Sequence, residues 1–205
     1  DHLRIPEVRA WLRDAVEADT YGPEAIPIDE TRLLERLTQV EVFESFIQTN
    51  FPGKTRFSIE GLDMLVPILD EVIASAATAG IYEILIGMAH RGRLNVLTHI
   101  LEKPYREMLL EFKDPINSAS QTRLSQIGWT GDVKYHAGAE REVAGGQKIA
   151  LTVRMVPNPS HLEHVNPVVE GMSRAAGSFV DQPGPPRQDQ FLSLPIQIHG
   201  DAAFS

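Results

Sequence analysis

The run Ile81-Tyr-Glu-Ile-Leu-Ile-Gly-Met88 is almost entirely apolar and leads directly into the polar turn Ala89-His-Arg-Gly-Arg93. A short apolar run of this kind is typical of a strand that is buried on both faces of a parallel sheet. A helical pattern precedes the run, and apolar residues at helical spacing, Leu94 and Leu97 among them, follow the turn. Helix, strand, turn and helix in succession predict an α/β domain with a mostly parallel sheet flanked by helices.

The rest of the chain supplies further elements of the same two kinds. Pro67 lies inside one helical pattern and indicates a kink or a later helix start, whereas Gly80 suits its C-terminal cap. Residues 114–147 are the least regular part, because Ser, Gln, Gly and charged residues dominate them. The other predicted elements are helices at 7–17, 29–49 and 58–80, a strand at 148–156, a helix ending near Val180 and a strand at 191–199.

Composition sets limits on the function. The 205 residues contain 42% hydrophobic residues and a formal charge of −9, which is typical of a globular domain and argues against a broad nucleic-acid surface. The absence of cysteine excludes disulfides, thiolate zinc sites and a cysteine nucleophile. No run approaches the ~18 consecutive apolar residues of a membrane span, and no signal or transit segment is visible. The closing residues, after an apolar strand, suggest a piece of a longer polypeptide.

Three polar clusters follow predicted strands: His90 to Arg93, Ser160 to His164, and Gly200-Asp201. The carboxyl ends of parallel strands lie at one edge of a sheet, which is where ligands bind. Arginine beside glycine suits a phosphate or carboxylate, and an aspartate suits Mg²⁺. Together the clusters predict a site for a diphosphate-bearing cofactor with a metal ion.

Each cluster also has a plainer interpretation. Arg91 and Arg93 suit surface charges equally well, and Gly-Asp pairs are common in turns. His161 and His164 are three residues apart and could form part of a zinc site, although the spacing is one residue short of the inverted zinc motif. A non-catalytic metal-binding module built on His161, His164 and Asp201, or a phosphate-binding regulatory domain that keeps Arg91, therefore remains an alternative.

Five longer strings occur in a characteristic order and resemble one family. They are Arg56-Phe-Ser-Ile-Glu-Gly-Leu-Asp63, Met88-Ala-His-Arg-Gly-Arg-Leu-Asn-Val-Leu97, Gly131-Asp-Val-Lys-Tyr-His136, Asn158-Pro-Ser-His-Leu-Glu-His-Val-Asn-Pro-Val-Val-Glu-Gly171 and His199-Gly-Asp-Ala-Ala-Phe204. The sequence resembles the thiamine diphosphate-dependent decarboxylating component of 2-oxoglutarate dehydrogenase complexes. The resemblance implies that residues 1–28 are a connector and residues 29–205 the front part of the diphosphate-binding domain, an incomplete thiamine diphosphate-binding fold.

The resemblance also implies a set of cofactor-binding residues. Asp201 matches the family's Gly-Asp metal motif and would ligate Mg²⁺ against the diphosphate. Arg91 would hold the diphosphate itself. Ser160, His161 and Leu162 would line the cofactor pocket. The family's second side-chain metal ligand and its activating glutamate are missing from this sequence, so isolated residues 1–205 are expected to turn over no substrate.

His90 and His136 resemble the family's catalytic histidines, which would bind the substrate carboxylates and assist proton transfer. The implied reaction is decarboxylation of 2-oxoglutarate and transfer of the succinyl group to the lipoyl arm of a dihydrolipoyl succinyltransferase. The resemblance further implies a homodimer, located in the bacterial cytoplasm, or in the mitochondrial matrix if the source is eukaryotic. The alternatives within this class are a related dehydrogenase acting on another 2-oxo acid, such as 2-oxoadipate, and a decarboxylase that releases or condenses the aldehyde without a lipoyl partner.

Overall fold

A computed structural model describes residues 4–18, 28–112, 136–145, 148–158 and 162–200. The chain divides into two compact units, residues 1–33 and 34–205. The first unit contains helix α1 (Pro6–Glu17), which begins with a proline in its first turn and has no buried side chain. Helix α2 (Glu30–Asn50) begins near the end of this unit and continues through the start of the second. The predicted boundary between a connector and a domain at residue 28 stays a prediction.

The second unit is built around a sheet with helices packed against it. After α2, its elements are α3 (Leu65–Ala79), β1 (Glu83–Met88), α4 (Arg93–Asn95), a π-helical turn (Val96–Ile100), α5 (Tyr105–Leu110), β2 (Ala139–Gly145), β3 (Lys148–Met155), α6 (Val165–Ala176), β4 (Ser178–Phe179), β5 (Arg187–Gln188) and β6 (Ser193–Ile198).

The main sheet has the strand order β2-β3-β1-β6. β1 pairs in parallel with both β3 and β6, whereas β2 pairs antiparallel with β3. β4 and β5 form a separate two-stranded hairpin. The predicted α/β class with a mostly parallel sheet and flanking helices is therefore confirmed.

β1 lies between two strands and all six of its residues are buried. Its continuous apolar run is the pattern that two covered faces require. α6 packs so closely against β1 that a Cβ atom on Gly87 would come within 2.5 Å of the Val169 Cγ2 atom. Glycine at this strand position therefore allows the helix to approach the sheet.

Some predictions differ from the structure. The helix expected to end near Val180 ends at Ala176, and Ser178–Phe179 forms β4 instead. The helix expected from Ser58 begins at Leu65, so Pro67 falls in its first turn. The N–H groups of a first turn have no partner within the helix, so proline costs no helical hydrogen bond there. Its C-terminal cap is correct, since Gly80 has the left-handed conformation with φ 85°. The polar region 114–147 contains an unpredicted strand, β2. β2 is an edge strand of the described sheet, so only one of its sides pairs and polar residues are tolerated.

No helix in the described part of the chain is both long enough and apolar enough to span a membrane.

Candidate functional site

The carboxyl ends of β1, β3 and β6 lie side by side. In the parallel pairings, Ile86 of β1 is opposite Met155 of β3, and Met88 is opposite Ile198 of β6. The segments that leave these strands therefore begin at one edge of the sheet, which we call the carboxyl edge. Ligands in open α/β sheets bind at such an edge. The predicted convergence of these strand ends is present in the structure.

The turn after β1 is held by the loop that precedes α3. The N–H of Gly92 donates to the Phe57 carbonyl at 3.0 Å, and the Arg91 guanidinium donates to the Ser58 carbonyl at 3.1 Å. Gly92 has φ +73°, and a Cβ atom there would lie 3.1 Å from the Ile59 side chain. Both the conformation and the close approach favour glycine at this position.

His90 is half-buried, and its ring stacks on the ring of Phe57 with 4.4 Å between centroids and 20° between planes. Phe57 has φ 44°, an unfavourable conformation for a residue with a side chain. Backbone strain of this kind persists only where the surrounding structure enforces it. The stacked Phe57 ring limits the orientations available to the His90 imidazole.

A buried carboxylate supports the loop that carries Phe57. Glu44 of α2 is 4% exposed and accepts hydrogen bonds from the Ile59 N–H at 3.0 Å and from the Asn95 amide at 2.8 Å. It also forms an ion pair with Arg56. Hydrogen bonding from Arg56 to Glu60, together with the Glu44 charge, raises the pKa of the Arg56 guanidinium. We call Glu44, Arg56, Ile59 and Asn95 the Glu44 cluster.

His136 lies beside the end of β3. Its carbonyl accepts a hydrogen bond from the Asn158 N–H at 3.3 Å, and its side chain is half-buried. Gly138 lies so close to β3 that a Cβ atom would meet the Met155 carbonyl at 2.7 Å. The backbone around His136 is therefore fixed against the strand that ends at the carboxyl edge.

Arg93 connects the two histidine-bearing segments. Its guanidinium donates to the carbonyl of Met88, two residues before His90, at 2.7 Å, and to the carbonyl of Ala137, directly after His136, at 2.8 Å. The structure thus brings the His90 and His136 segments to a single side chain. The interpretation of Arg93 as a surface charge is wrong, because the residue is 0% exposed.

Burial lowers the pKa of Arg93 to about 10, so the guanidinium still carries its charge at neutral pH. The sequence contains a signal for this burial. Arg93 lies three and four residues before Val96 and Leu97, both of which are completely buried. Helical spacing therefore places Arg93 on the apolar face of this short helical segment.

The other predicted site residues are only partly described. Leu162 lies in the turn before α6 and is 46% exposed, and Arg91 is exposed at the turn after β1. Ser160, His161 and Asp201 lie outside the described residues. Within the described ranges, no three His, Asp or Glu side chains form a group that could hold a metal ion. The alternative metal module built on His161, His164 and Asp201 also depends on residues outside those ranges.

Curated relatives are similar to this chain over nearly all of its length. The 2-oxoglutarate dehydrogenase E1 components of Bacillus mycoides (strain KBAB4), Bacillus cereus (strain AH187) and Bacillus anthracis (strain A0248) are each 49% identical to it over 203 residues, or 99% of the chain. The chain matches a segment of the 2-oxoglutarate dehydrogenase E1 component. The resemblance inferred from the sequence motifs is confirmed.

The match covers only part of each relative. The chain spans 21% of the length of these E1 components, about a fifth. No protein-family model matches the chain. The similarity therefore concerns one segment of these longer E1 components.

Proposed function

We propose that the chain is the part of a 2-oxoglutarate dehydrogenase that binds the diphosphate of thiamine diphosphate and presents two histidines to the substrate. The 49% identity to E1 components over 99% of the chain carries this proposal. In the whole protein, the reaction is decarboxylation of 2-oxoglutarate followed by reductive succinylation of a lipoyl group.

The described residues fit the anionic part of the cofactor. Arg91 is exposed, and the hydrogen bond to Ser58 uses one of its five N–H donors. The remaining donors can bind a phosphate in bidentate fashion. Asp201 would hold Mg²⁺, while Ser160, His161 and Leu162 would line the cofactor pocket. When bound, thiamine diphosphate supplies the nucleophile and the electron sink for loss of CO₂.

The side chains of this segment bind and orient the substrate. His90, held by its stacking on Phe57, and His136, whose backbone is bonded to Asn158, would bind the carboxylates of the 2-oxo acid. Both would also assist proton transfer near the reacting carbon, a role that suits imidazole at neutral pH. The buried charge of Arg93 favours an anionic substrate at this edge, since little solvent screens it.

The name E1 component supports a place in a larger assembly. We propose that the whole protein is a homodimer and that the lipoyl group belongs to a dihydrolipoyl succinyltransferase. The bacterial relatives support a cytoplasmic location.

Replacement of His136 tests the proposed catalytic role. In the full-length protein that contains this segment, supplied with thiamine diphosphate and Mg²⁺, His136→Ala should lower the rate of CO₂ release from 2-oxoglutarate about 100-fold or more, because proton transfer typically contributes 10²–10⁴. His164→Ala is the matched control, because His164 is an exposed histidine outside the proposed catalytic pair; it should retain the wild-type rate.

Wild-type rates in His136→Ala would refute the role of that residue.

A substrate panel with 2-oxoglutarate and 2-oxoadipate tests which 2-oxo acid the protein decarboxylates. Faster turnover of 2-oxoadipate by the wild-type protein would contradict the assignment to 2-oxoglutarate.

A further inference from the structure

Arg93 is a completely buried cation at the carboxyl edge. Its two terminal nitrogens donate four hydrogen bonds, to the carbonyls of Met88 (2.7 Å), Ala137 (2.8 Å) and Val156 (3.0 Å) and to the Asn158 Oδ1 atom (2.8 Å). All four acceptors are uncharged oxygens. Among the described residues, no carboxylate forms an ion pair with this guanidinium.

The four acceptors belong to three segments that are distant in the sequence. Met88 ends β1, Ala137 follows His136, and Val156 and Asn158 follow β3. Asn158 extends the connection, because its N–H donates to the His136 carbonyl at 3.3 Å. Arg93 therefore holds the Met88 and Ala137 carbonyls directly, and through Asn158 it is connected to the His136 carbonyl.

This arrangement is costly if it serves stability alone. Removing a charge from water without pairing it with an opposite charge carries a large desolvation penalty. Lysine could supply the charge but not the rigid fork of donors that reaches several acceptors at once. The four acceptors around residue 93 therefore favour arginine over lysine, because the guanidinium is planar and carries several donors in fixed positions.

We propose that Arg93 is a positioning residue, which sets the backbone of the His90 segment and the His136 segment relative to each other. This inference rests on the proposed function, from which the two histidines take their catalytic role. Arg93 acts through those histidines and does not itself contact the substrate.

Amide hydrogen exchange in the full-length protein tests the structural half of the proposal. In Arg93→Lys, the backbone amides of residues 136–145 and 156–158 should exchange at least tenfold faster than in the wild type. The amides of α3 should exchange at the wild-type rate. Arg154→Lys is the matched control, because Arg154 lies on β3 but bonds the carboxylates of Glu83 and Glu140; it should leave the peptide at 156–158 unchanged. No acceleration at 136–145, or equal acceleration throughout the chain, would overturn the proposal.

A double-mutant cycle tests the functional half. Arg93→Lys should lower kcat for CO₂ release at least tenfold in the wild-type background but less than twofold in the His136→Ala background, because residues that act as a unit are not additive. Equal losses in both backgrounds would overturn the role through His136. If Arg93→Lys does not fold, Asn158→Leu removes one acceptor of the guanidinium, and the same two results are expected of it.

The two proposals fail in different ways. A wild-type protein that releases no CO₂ from any 2-oxo acid would refute the proposed function. The exchange pattern would still decide whether Arg93 holds the segments at 136–145 and 156–158.

Discussion

The short helical segment after β1 separates two buried polar regions with different electrostatic character. On one side, the Glu44 cluster pairs a buried carboxylate with the Arg56 guanidinium and with neutral N–H donors. On the other side, Arg93 is a buried cation whose four bonds to described residues all go to uncharged oxygens. Arg93 and Asn95, only two residues apart, belong to opposite regions.

This difference in charge distinguishes the Glu44 cluster, which supports the site, from the Arg93 region, which belongs to it. The charges of the Glu44 cluster are balanced within this chain, and the cluster fixes the loop on which His90 stacks. Among the described residues, no carboxylate pairs with the Arg93 charge, which lies at the edge where an anionic cofactor and substrate are proposed to bind. Loss of the first region should therefore affect folding most, and loss of the second should affect chemistry most.

Replacement of Glu44 should have the largest effect on stability. Glu44→Leu leaves the Ile59 N–H, the Asn95 amide and Arg56 without their common acceptor. Removal of one partner of a buried ion pair typically costs about 3–5 kcal/mol. Denaturant titration, followed by far-UV circular dichroism, measures this loss in the free energy of unfolding.

Glu60→Gln is the matched control, because Glu60 also pairs with Arg56 but its side chain is 59% exposed. An exposed pair contributes about 0–1 kcal/mol. Equal losses for the Glu44 and Glu60 variants would contradict the distinction between a buried supporting cluster and a solvated ion pair.

A smaller, pH-dependent effect is expected from His99 in the π-helical turn. His99 is 5% exposed, and burial together with the nearby Arg36 charge lowers its pKa from 6.5 to about 4. As the pH falls below 6.5, the unfolded chain takes up this proton before the folded chain does. The stability from His99 is therefore complete above pH 6.5 and lost toward pH 4, up to about 3 kcal/mol at about 1.4 kcal/mol per pKa unit.

His99→Gln should reduce the fall in the free energy of unfolding between pH 6.5 and pH 4.5, whereas His164→Gln, at an exposed position, should not change it. Denaturant titrations at several pH values measure the slope. An unchanged slope in His99→Gln would show that other groups cause the acid sensitivity.

Much of the fold was predictable because burial leaves a periodic pattern. β1 was recognisable from its uninterrupted apolar run, and α3 ended at the predicted Gly80. The start of α3 and the edge strand β2 were not predictable in this way. Pro67 is compatible with several helix starts, and only Ala139 and Val143 of β2 pack against the core as apolar side chains.

The sequence could predict which loops form the site, but not which side chains in those loops contact one another. Local sequence places His90 and Arg91 after a strand, and the parallel pairing puts that strand end beside β3 and β6. The link from Arg93 to Ala137 and Asn158 spans 44 and 65 residues, and no local pattern contains such contacts. The expectations for Ser160, His161 and Asp201 stay predictions.

Equilibrium binding of thiamine diphosphate to the full-length protein, with Mg²⁺ present, tests most directly whether the carboxyl edge holds the diphosphate of the cofactor. Arg91→Ala should raise the Kd at least tenfold while leaving the weak binding of unphosphorylated thiamine unchanged, because a charge-assisted hydrogen bond contributes about 1.5–3 kcal/mol. Arg174→Ala, at an exposed position on α6, is the control. A wild-type Kd for thiamine diphosphate in Arg91→Ala would show that Arg91 does not hold the diphosphate.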